Sequence, residues 1–171
     1  MNILQRTLTC FLLLGSACTS TPPSEPGRAL AVDERVATGQ RYLATLYRYD
    51  FEELAALLHP EATFQDRTGS ALSGDEWHIA GRAAIVASFR ASSAGTRASV
   101  EIESSFACAA FAVFVVTYRS TFDGALLGGA PGDVTVVVPA VTVLRIEDGL
   151  VREHIDYVSY EDLLAQVGPA E

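Results

Sequence analysis

The sequence predicts an α+β domain in which three N-terminal helices pack on one face of a curved, antiparallel or mixed β-sheet. Two observations lead to this prediction. Apolar residues recur at helical spacing in the first part of the domain, and runs rich in Val, Ile, Phe, Tyr and Thr fill the region from residue 97 onward. Helical and strand patterns are therefore segregated along the chain, which is typical of an α+β fold.

Three helices are predicted, over residues 33–48, 50–59 and 81–91. The first and third follow from apolar residues that recur on one side of a helix. The second follows from Asp50, because Glu53 completes a capping-box-like pattern and Pro60 ends the helix. Residues 62–66 are predicted as a short strand and residues 67–78 as a loop.

Four long strands are predicted, over residues 97–108, 110–122, 133–147 and 150–160. The turn-like segments DGALLGGAPGD and EDG separate the last three. Pro139 lacks a backbone N–H in the middle of the third run, so we expect a β-bulge that bends the sheet there. A bent sheet covered by helices forms a cone around an apolar cavity.

Residues 1–18 predict export rather than a membrane span. One Arg precedes the apolar run LTCFLLLGSA, which is shorter than the roughly 18–20 residues that cross a bilayer. The segment LLGSAC resembles a bacterial lipoprotein signal, although Gly15 stands where that signal prefers Leu. We expect lipidation of Cys18, which would anchor an exported lipoprotein to the bacterial cell envelope as its only link to a membrane. A secreted or periplasmic protein is the alternative.

Residues 19–30 are predicted to be a flexible tether, and residues 31–167 a single domain. The tether begins TSTPPSEPGR, which contains Pro, Ser and Thr but no large apolar side chain to bury. The remaining length is sufficient for one domain with a sizeable hydrophobic core.

Charge and cysteine content exclude several classes of function. The 12 basic residues are all Arg and stand against 21 acidic ones, for a net charge of −9, so nucleic-acid binding is not expected. Cys10 lies in the signal and Cys18 is the lipidation candidate, which leaves Cys108 without a disulfide partner and as an expected small core residue. The three histidines are too scattered to predict a metal site, and no cofactor is expected.

The segment from residue 41 to residue 66 contains Tyr42, Asp50 and the run HPEATFQD, and Gly81 opens the next helix. This pattern resembles the nuclear transport factor two-like superfamily, with its ketosteroid isomerase, SnoaL-like and limonene epoxide hydrolase branches, over about residues 33–165. The resemblance implies a cone-shaped, cystatin-like α+β barrel. It also implies that Asp66 is a general base and that Tyr42 donates to a developing oxyanion.

The segment EDGLVREHIDYVSYEDLL resembles the last strand of the same superfamily. Asp156 matches the aspartate that activates water in the epoxide hydrolases, and His154 falls where SnoaL-like members line the pocket. Period-two alternation places Arg152, His154 and Asp156 on one face of the strand. Tyr42, Asp66, His154 and Asp156 are therefore the predicted catalytic residues.

The chain also departs from each branch. Thr142 stands where the isomerases have a second oxyanion-hole aspartate, and Thr121 stands where the epoxide hydrolases have an aspartate after the residue matching Arg119. The side chains predicted to line the ligand pocket are Phe64, Trp77, Phe89, Tyr118, Thr142 and Leu144.

Each predicted residue also has a structural alternative. Tyr42 could be a core tyrosine, Asp66 a turn former, and His154 with Asp156 a structural hydrogen-bonded pair. Trp77 could be a lid over the cavity or an anchor of its loop.

Two hypotheses on function remain open. The first is an exported SnoaL-like enzyme that uses cofactor-independent acid–base catalysis, of isomerase, cyclase or hydrolase type, on a small apolar carbonyl or epoxide compound. The second is a non-catalytic envelope module that binds a small hydrophobic ligand or a protein partner through the same cone. A homodimer formed through the outer sheet face is expected in either case.

Overall fold

The structure is a computed structural model that describes residues 32–167. The helices are α1 (Val32–Tyr47), α2 (Phe51–Leu57), α3 (Ser70–Ser73), α4 (Arg82–Ser92), α5 (Tyr160–Val167) and a 3₁₀ turn (Gly124–Leu127). The strands are β1 (Leu58–Asp66), β2 (Trp77–Ala80), β3 (Arg97–Cys108), β4 (Phe111–Asp123), β5 (Asp133–Glu147) and β6 (Leu150–Val158). The predicted signal, the tether and Cys18 lie outside the described residues.

The six strands form one curved, mixed sheet in the order β2-β1-β6-β5-β4-β3. β1 pairs parallel to β6, and every other neighbouring pair is antiparallel. The predicted α+β class is confirmed. The sheet is not closed, because β2 and β3 are its two edges, so the expected barrel is an open cone.

The helices agree in part with the sequence prediction. Asp50 caps α2, since its carboxylate accepts a hydrogen bond from the Glu53 backbone N–H at 3.0 Å. The predicted loop over residues 67–78 was wrong, because it contains α3 and the start of β2. α5 adds a helix at the C-terminal end of the domain, where a strand was predicted to continue to residue 160. In the described chain no helix combines the length and hydropathy needed to cross a membrane.

The predicted bulge at Pro139 was wrong. Pro139 stands opposite Thr117 in an uninterrupted register between β4 and β5. Its carbonyl accepts a hydrogen bond from Ser159, just beyond the last β5–β6 pair, so the missing N–H faces a position where pairing with β6 has ended.

The β5–β6 register shifts near Arg145 and Ile146 instead. This shift buries Val151 and turns Arg152 away from the inner face of the sheet. The Arg152 guanidinium instead lies 2.7 Å from the carboxylate of Glu61. Arg152 therefore does not share a face with His154, contrary to the period-two expectation.

The hydrophobic core lies between α1, α2, α4 and the inner face of the sheet. Gly39 on α1 allows close packing, because a Cβ there would lie 2.4 Å from the Phe114 ring and 3.2 Å from Leu144. Cys108 is exposed at the end of β3, so the expectation of a core cysteine was wrong.

Candidate active site

Polar side chains form a row across the inner face of three neighbouring strands. The register pairs Thr142 on β5 with Asp156 on β6, and Asp156 with Asp66 on β1. Residues paired in this way project to the same face, and all three are buried. Two carboxylates therefore lie on adjacent strands inside the protein, where charge is costly unless it is hydrogen-bonded or neutralised.

His154 links this row to α1. Its Nδ1 lies 2.9 Å from the Tyr42 hydroxyl, and both side chains are fully buried. Burial, and secondarily the charge of Asp156, raises the pKa of Tyr42 well above its ordinary value, so the hydroxyl stays protonated. An ionised carboxylate beside Nε2 favours the tautomer with the proton on Nε2, which leaves Nδ1 to accept from Tyr42.

Only one of the two carboxylate oxygens of Asp156 accepts hydrogen bonds from the described residues. Oδ1 accepts a hydrogen bond from Thr142 at 2.5 Å, and the Tyr118 hydroxyl lies 3.5 Å from it. His154 Nε2 is 3.0 Å from Oδ1 but outside the angular range of a hydrogen bond, and it has no other partner among residues 32–167. No described residue donates a hydrogen bond to Oδ2.

Two tyrosines complete the Asp156 side of the site. The Tyr118 hydroxyl is 2.6 Å from Thr142 Oγ1, and the ring of Tyr47 stacks on Tyr118 with centroids 5.0 Å apart. Burial is the main reason why the pKa values of both phenols are raised well above 10.0. Both hydroxyls therefore remain neutral near Asp156.

Asp66, in contrast, has hydrogen bonds on both oxygens. Oδ1 accepts from the backbone N–H and the hydroxyl of Thr68, each at 3.0 Å. Oδ2 accepts from the Tyr160 hydroxyl on α5. Burial, and then this hydrogen bond, raises the pKa of Tyr160. These contacts are those of a turn former that also fastens the C-terminal helix.

Two adjoining cavities open next to this row. The smaller, of about 210 Å³, is lined in part by His154, and the larger, of about 340 Å³, by Asp66. Asp156 lines both. The other residues shared by the two cavities are Tyr47, Phe64, Ser92, Thr96 and Ser120.

The predicted site residues of the domain thus fall into two groups. Phe64, Phe89, Tyr118, Trp77, Asp66, His154 and Asp156 line one or both cavities. Tyr42, Thr142 and Leu144 are buried behind the cavity walls. Tyr42 and Asp66 do not contact one another: the first is bonded to His154, the second to Thr68 and Tyr160. The catalytic role of each residue stays a prediction.

Metal ligands are not grouped in the part of the chain that the structure describes. No three or more His, Cys, Asp or Glu side chains come together there in a way that could hold an ion.

A model of the SnoaL-like domain matches residues 39–154, which is more than half of the chain. The chain belongs to the SnoaL-like domain family. No curated protein matches it.

Solved structures share the fold of this SnoaL-like domain. A candidate SnoaL-like polyketide cyclase from Shewanella putrefaciens is 20% identical, with 81% of this chain and 98% of that chain covered and a TM-score of 0.71. An LEH-like epoxide hydrolase from M. tuberculosis is 18% identical, with 80% and 90% covered and a TM-score of 0.64. A protein with a ketosteroid isomerase-like fold from Catenulispora acidiphila, in complex with trimethylamine, is 20% identical, with 77% and 92% covered and a TM-score of 0.63.

The sequence reasoning missed Tyr160, Thr68 and Tyr47. Tyr160 had a detectable signal, because Ser159 followed by Asp162 is a helix-start pattern, and the Ser159 hydroxyl indeed donates to Asp162 at 2.7 Å. The contact of Tyr160 with Asp66 had no signal, since the two residues are 94 positions apart.

Proposed function

We propose that this SnoaL-like protein is a cofactor-independent acid–base enzyme, of isomerase, cyclase or hydrolase type, for a small apolar carbonyl or epoxide compound. The observation that carries the proposal is the half-open carboxylate of Asp156 in the wall shared by two cavities. Relatives of the same fold include a candidate polyketide cyclase and an LEH-like epoxide hydrolase, which supports this range of chemistry.

Asp156 is the base in this proposal. The Thr142 hydroxyl donates to Oδ1 and so restricts rotation of the carboxylate, which keeps Oδ2 in one position. A base needs a free lone pair within hydrogen-bond reach of the proton it removes. Oδ2 has a free lone pair on a side chain that lines both cavities, whereas both oxygens of Asp66 already accept hydrogen bonds.

His154 is the proposed donor to the substrate oxygen. Its Nε2 is a buried N–H without an acceptor in good geometry, on a side chain that lines the smaller cavity. A substrate oxygen would satisfy it, and the bond would strengthen as negative charge develops. Tyr42 acts through His154, because its hydroxyl orients the imidazole from behind.

With a carbonyl substrate, Asp156 Oδ2 takes a proton from the carbon next to the carbonyl, and the electron pair of that C–H bond moves to form an enolate. The enolate oxygen accepts from His154 Nε2–H. The proton then returns from Asp156 to the same or to a conjugated carbon. Alternatively, the enolate carbon attacks a second carbonyl and closes a ring, and the alkoxide that forms from this carbonyl takes the proton back from Asp156. With an epoxide, Asp156 would instead deprotonate a water molecule, whose oxygen attacks one epoxide carbon; the ring C–O bond breaks, and the alkoxide that forms takes the proton back from Asp156.

The test is proton exchange measured by NMR in D2O. The purified protein is incubated with a panel of cyclic and conjugated ketones, and deuterium uptake next to the carbonyl is followed. Asp156→Asn should lower the exchange rate by roughly 10²–10⁴, the usual contribution of a general base. Glu61→Gln is the control, because Glu61 is a surface carboxylate paired with Arg152.

Two outcomes would contradict the proposal. An unchanged rate in Asp156→Asn, with loss in Asp66→Asn, would return the base to Asp66. Exchange on no member of the panel would favour the non-catalytic binding module. Circular dichroism and the unfolding midpoint of each variant separate these outcomes from misfolding.

We further propose that the enzyme works at the cell envelope, anchored through a lipid on Cys18. The support is the apolar run and the small residues before Cys18 in the sequence. Labelling cells with an alkyne fatty acid should mark the wild type but not Cys18→Ser, and an unlabelled wild type would leave secretion as the explanation.

A further inference from the structure

The larger cavity combines negative charge with aromatic rings. Asp66 and Asp156 are part of its wall, and none of the described residues that line it is Lys or Arg. Its aromatic side chains are Tyr47, Phe64, Trp77, Tyr118, Phe122 and Tyr160.

Six arginines of the domain pair with acidic residues that do not line this cavity. Their acidic partners within residues 32–167 are Glu53, Glu61, Glu76, Asp133, Glu147 and Glu153. No arginine in the described chain pairs with Asp66 or Asp156. These two carboxylates accept hydrogen bonds from hydroxyl and backbone N–H groups, so residues 32–167 supply no permanent cation to balance them.

A second observation points to an occupant. The Asp156 side chain is only 10% exposed, yet its Oδ2 receives no hydrogen bond from the described residues. This oxygen is therefore available to accept a contact from a ligand in the cavity. A ligand with positive charge would form a charge-assisted contact with it.

We infer that the ligand of the larger cavity is an organic cation, with a tertiary or quaternary ammonium group on a small apolar body. Aromatic faces attract such cations through their quadrupole, most strongly when water is excluded. Asp66 presents a carboxyl group of fixed orientation at the cavity wall, because Thr68 and Tyr160 hold both of its oxygens. Anionic ligands are excluded, since two carboxylates would repel them.

The two cavities also orient the ligand. His154 lines only the smaller cavity, Asp66 and Trp77 line only the larger one of the two, and Asp156 lies between them. The inference thus deepens the proposed function, on which it rests for the reacting end: the oxygen of the substrate faces His154 while its ammonium group lies near Asp66 and Trp77.

Binding can be measured without a known substrate. Trp77 is the single tryptophan of the chain and lines the larger cavity, so its fluorescence reports on occupancy. The probes are choline and its uncharged carbon isostere, 3,3-dimethylbutan-1-ol. Choline should bind at least about tenfold more tightly at low ionic strength. Equal affinity, preference for the alcohol, or no saturable choline binding would overturn the inference.

Variants locate the charge that is responsible. Asp66→Asn should weaken choline binding by about tenfold and leave the alcohol unaffected. Phe122→Leu keeps an apolar wall but removes one aromatic face, so it should weaken choline more than the alcohol. Glu76→Gln is the matched control, because Glu76 is an exposed carboxylate next to Trp77 in sequence that does not line the larger cavity. An equal loss in the control would indicate surface charge only and contradict the inference.

The two proposals can fail separately. A protein that prefers choline but catalyses no proton exchange is a binding protein for cations. This result would contradict the proposed enzyme activity and support the inference of a cationic ligand. A protein that exchanges ketone protons but binds both probes equally would support the proposed enzyme activity and contradict the inference of a cationic ligand.

Discussion

Asp66 and Asp156 are opposite each other on adjacent parallel strands, yet their surroundings differ. Asp66 ends β1, so the following turn and α5 supply donors to both of its oxygens. Asp156 is inside β6, where the backbone is paired within the sheet, and of the described residues only side chains from β4 and β5 donate hydrogen bonds to Oδ1. The same type of side chain therefore has a structural role at the end of a strand, where Asp66 lies, and keeps a free acceptor oxygen in the interior of a strand, where Asp156 lies.

This difference separates stability from catalysis. Removing a donor from Asp66 should mainly affect folding, because its partners join elements distant in sequence. Removing support on the Asp156 side should mainly affect rate. Loss of Asp156 itself has the largest expected effect, through the proton exchange described above.

Buried tyrosines lie near both Asp66 and Asp156, and alkaline pH tests their contribution to stability. Tyr42, Tyr47 and Tyr118 have pKa values raised well above 10.0, mainly by burial. In the unfolded chain these phenols ionise near pH 10, while the folded state keeps them protonated, so stability is complete below pH 10 and falls as pH rises above it. At pH 11 the three phenols together should cost several kcal/mol of stability, on the order of 1 kcal/mol each.

Urea unfolding at pH 8, 10 and 11 measures this loss. Absorbance at 295 nm should show that these phenols titrate together with unfolding. A constant free energy of unfolding across this range would contradict the burial of the three side chains.

Tyr160→Phe tests the structural role of Asp66, whose two carboxylate oxygens both accept hydrogen bonds. The substitution keeps the ring and removes the hydroxyl that donates to Asp66, a hydrogen bond to a charged group worth about 1.5–3 kcal/mol. Hydrogen exchange should show faster opening of α5 than of β5. Tyr157→Phe is the control, because Tyr157 is 46% exposed on the neighbouring strand, and it should change stability by less than about 0.5 kcal/mol. Equal effects would show that Tyr160 does not fasten α5.

The sequence predicted the fold further than it predicted the site. Helical spacing, the Asp50 cap and the β-branched runs are local signals, and they identified α1, α2, α4 and the four long strands. The inward positions of His154 and Asp156 followed from alternation within one strand. Arg152 did not follow, because one register shift reverses the face of every residue beyond it. The partners of Asp66 depend on how α5 docks, which no local pattern encodes.

Tyr42→Phe tests the part of the site that contains His154 and Asp156, and its expected effect on stability is the smallest of these predictions. It removes the hydroxyl that contacts His154 Nδ1 and leaves a buried acceptor unpaired, which costs about 1 kcal/mol. Because His154 then loses its fixed tautomer, the rate of proton exchange should fall by about tenfold, a larger change in free energy than the loss of stability. Urea unfolding and NMR exchange on the same sample give both values. A stability loss with an unchanged rate would make Tyr42 a core residue only, with no part in positioning His154.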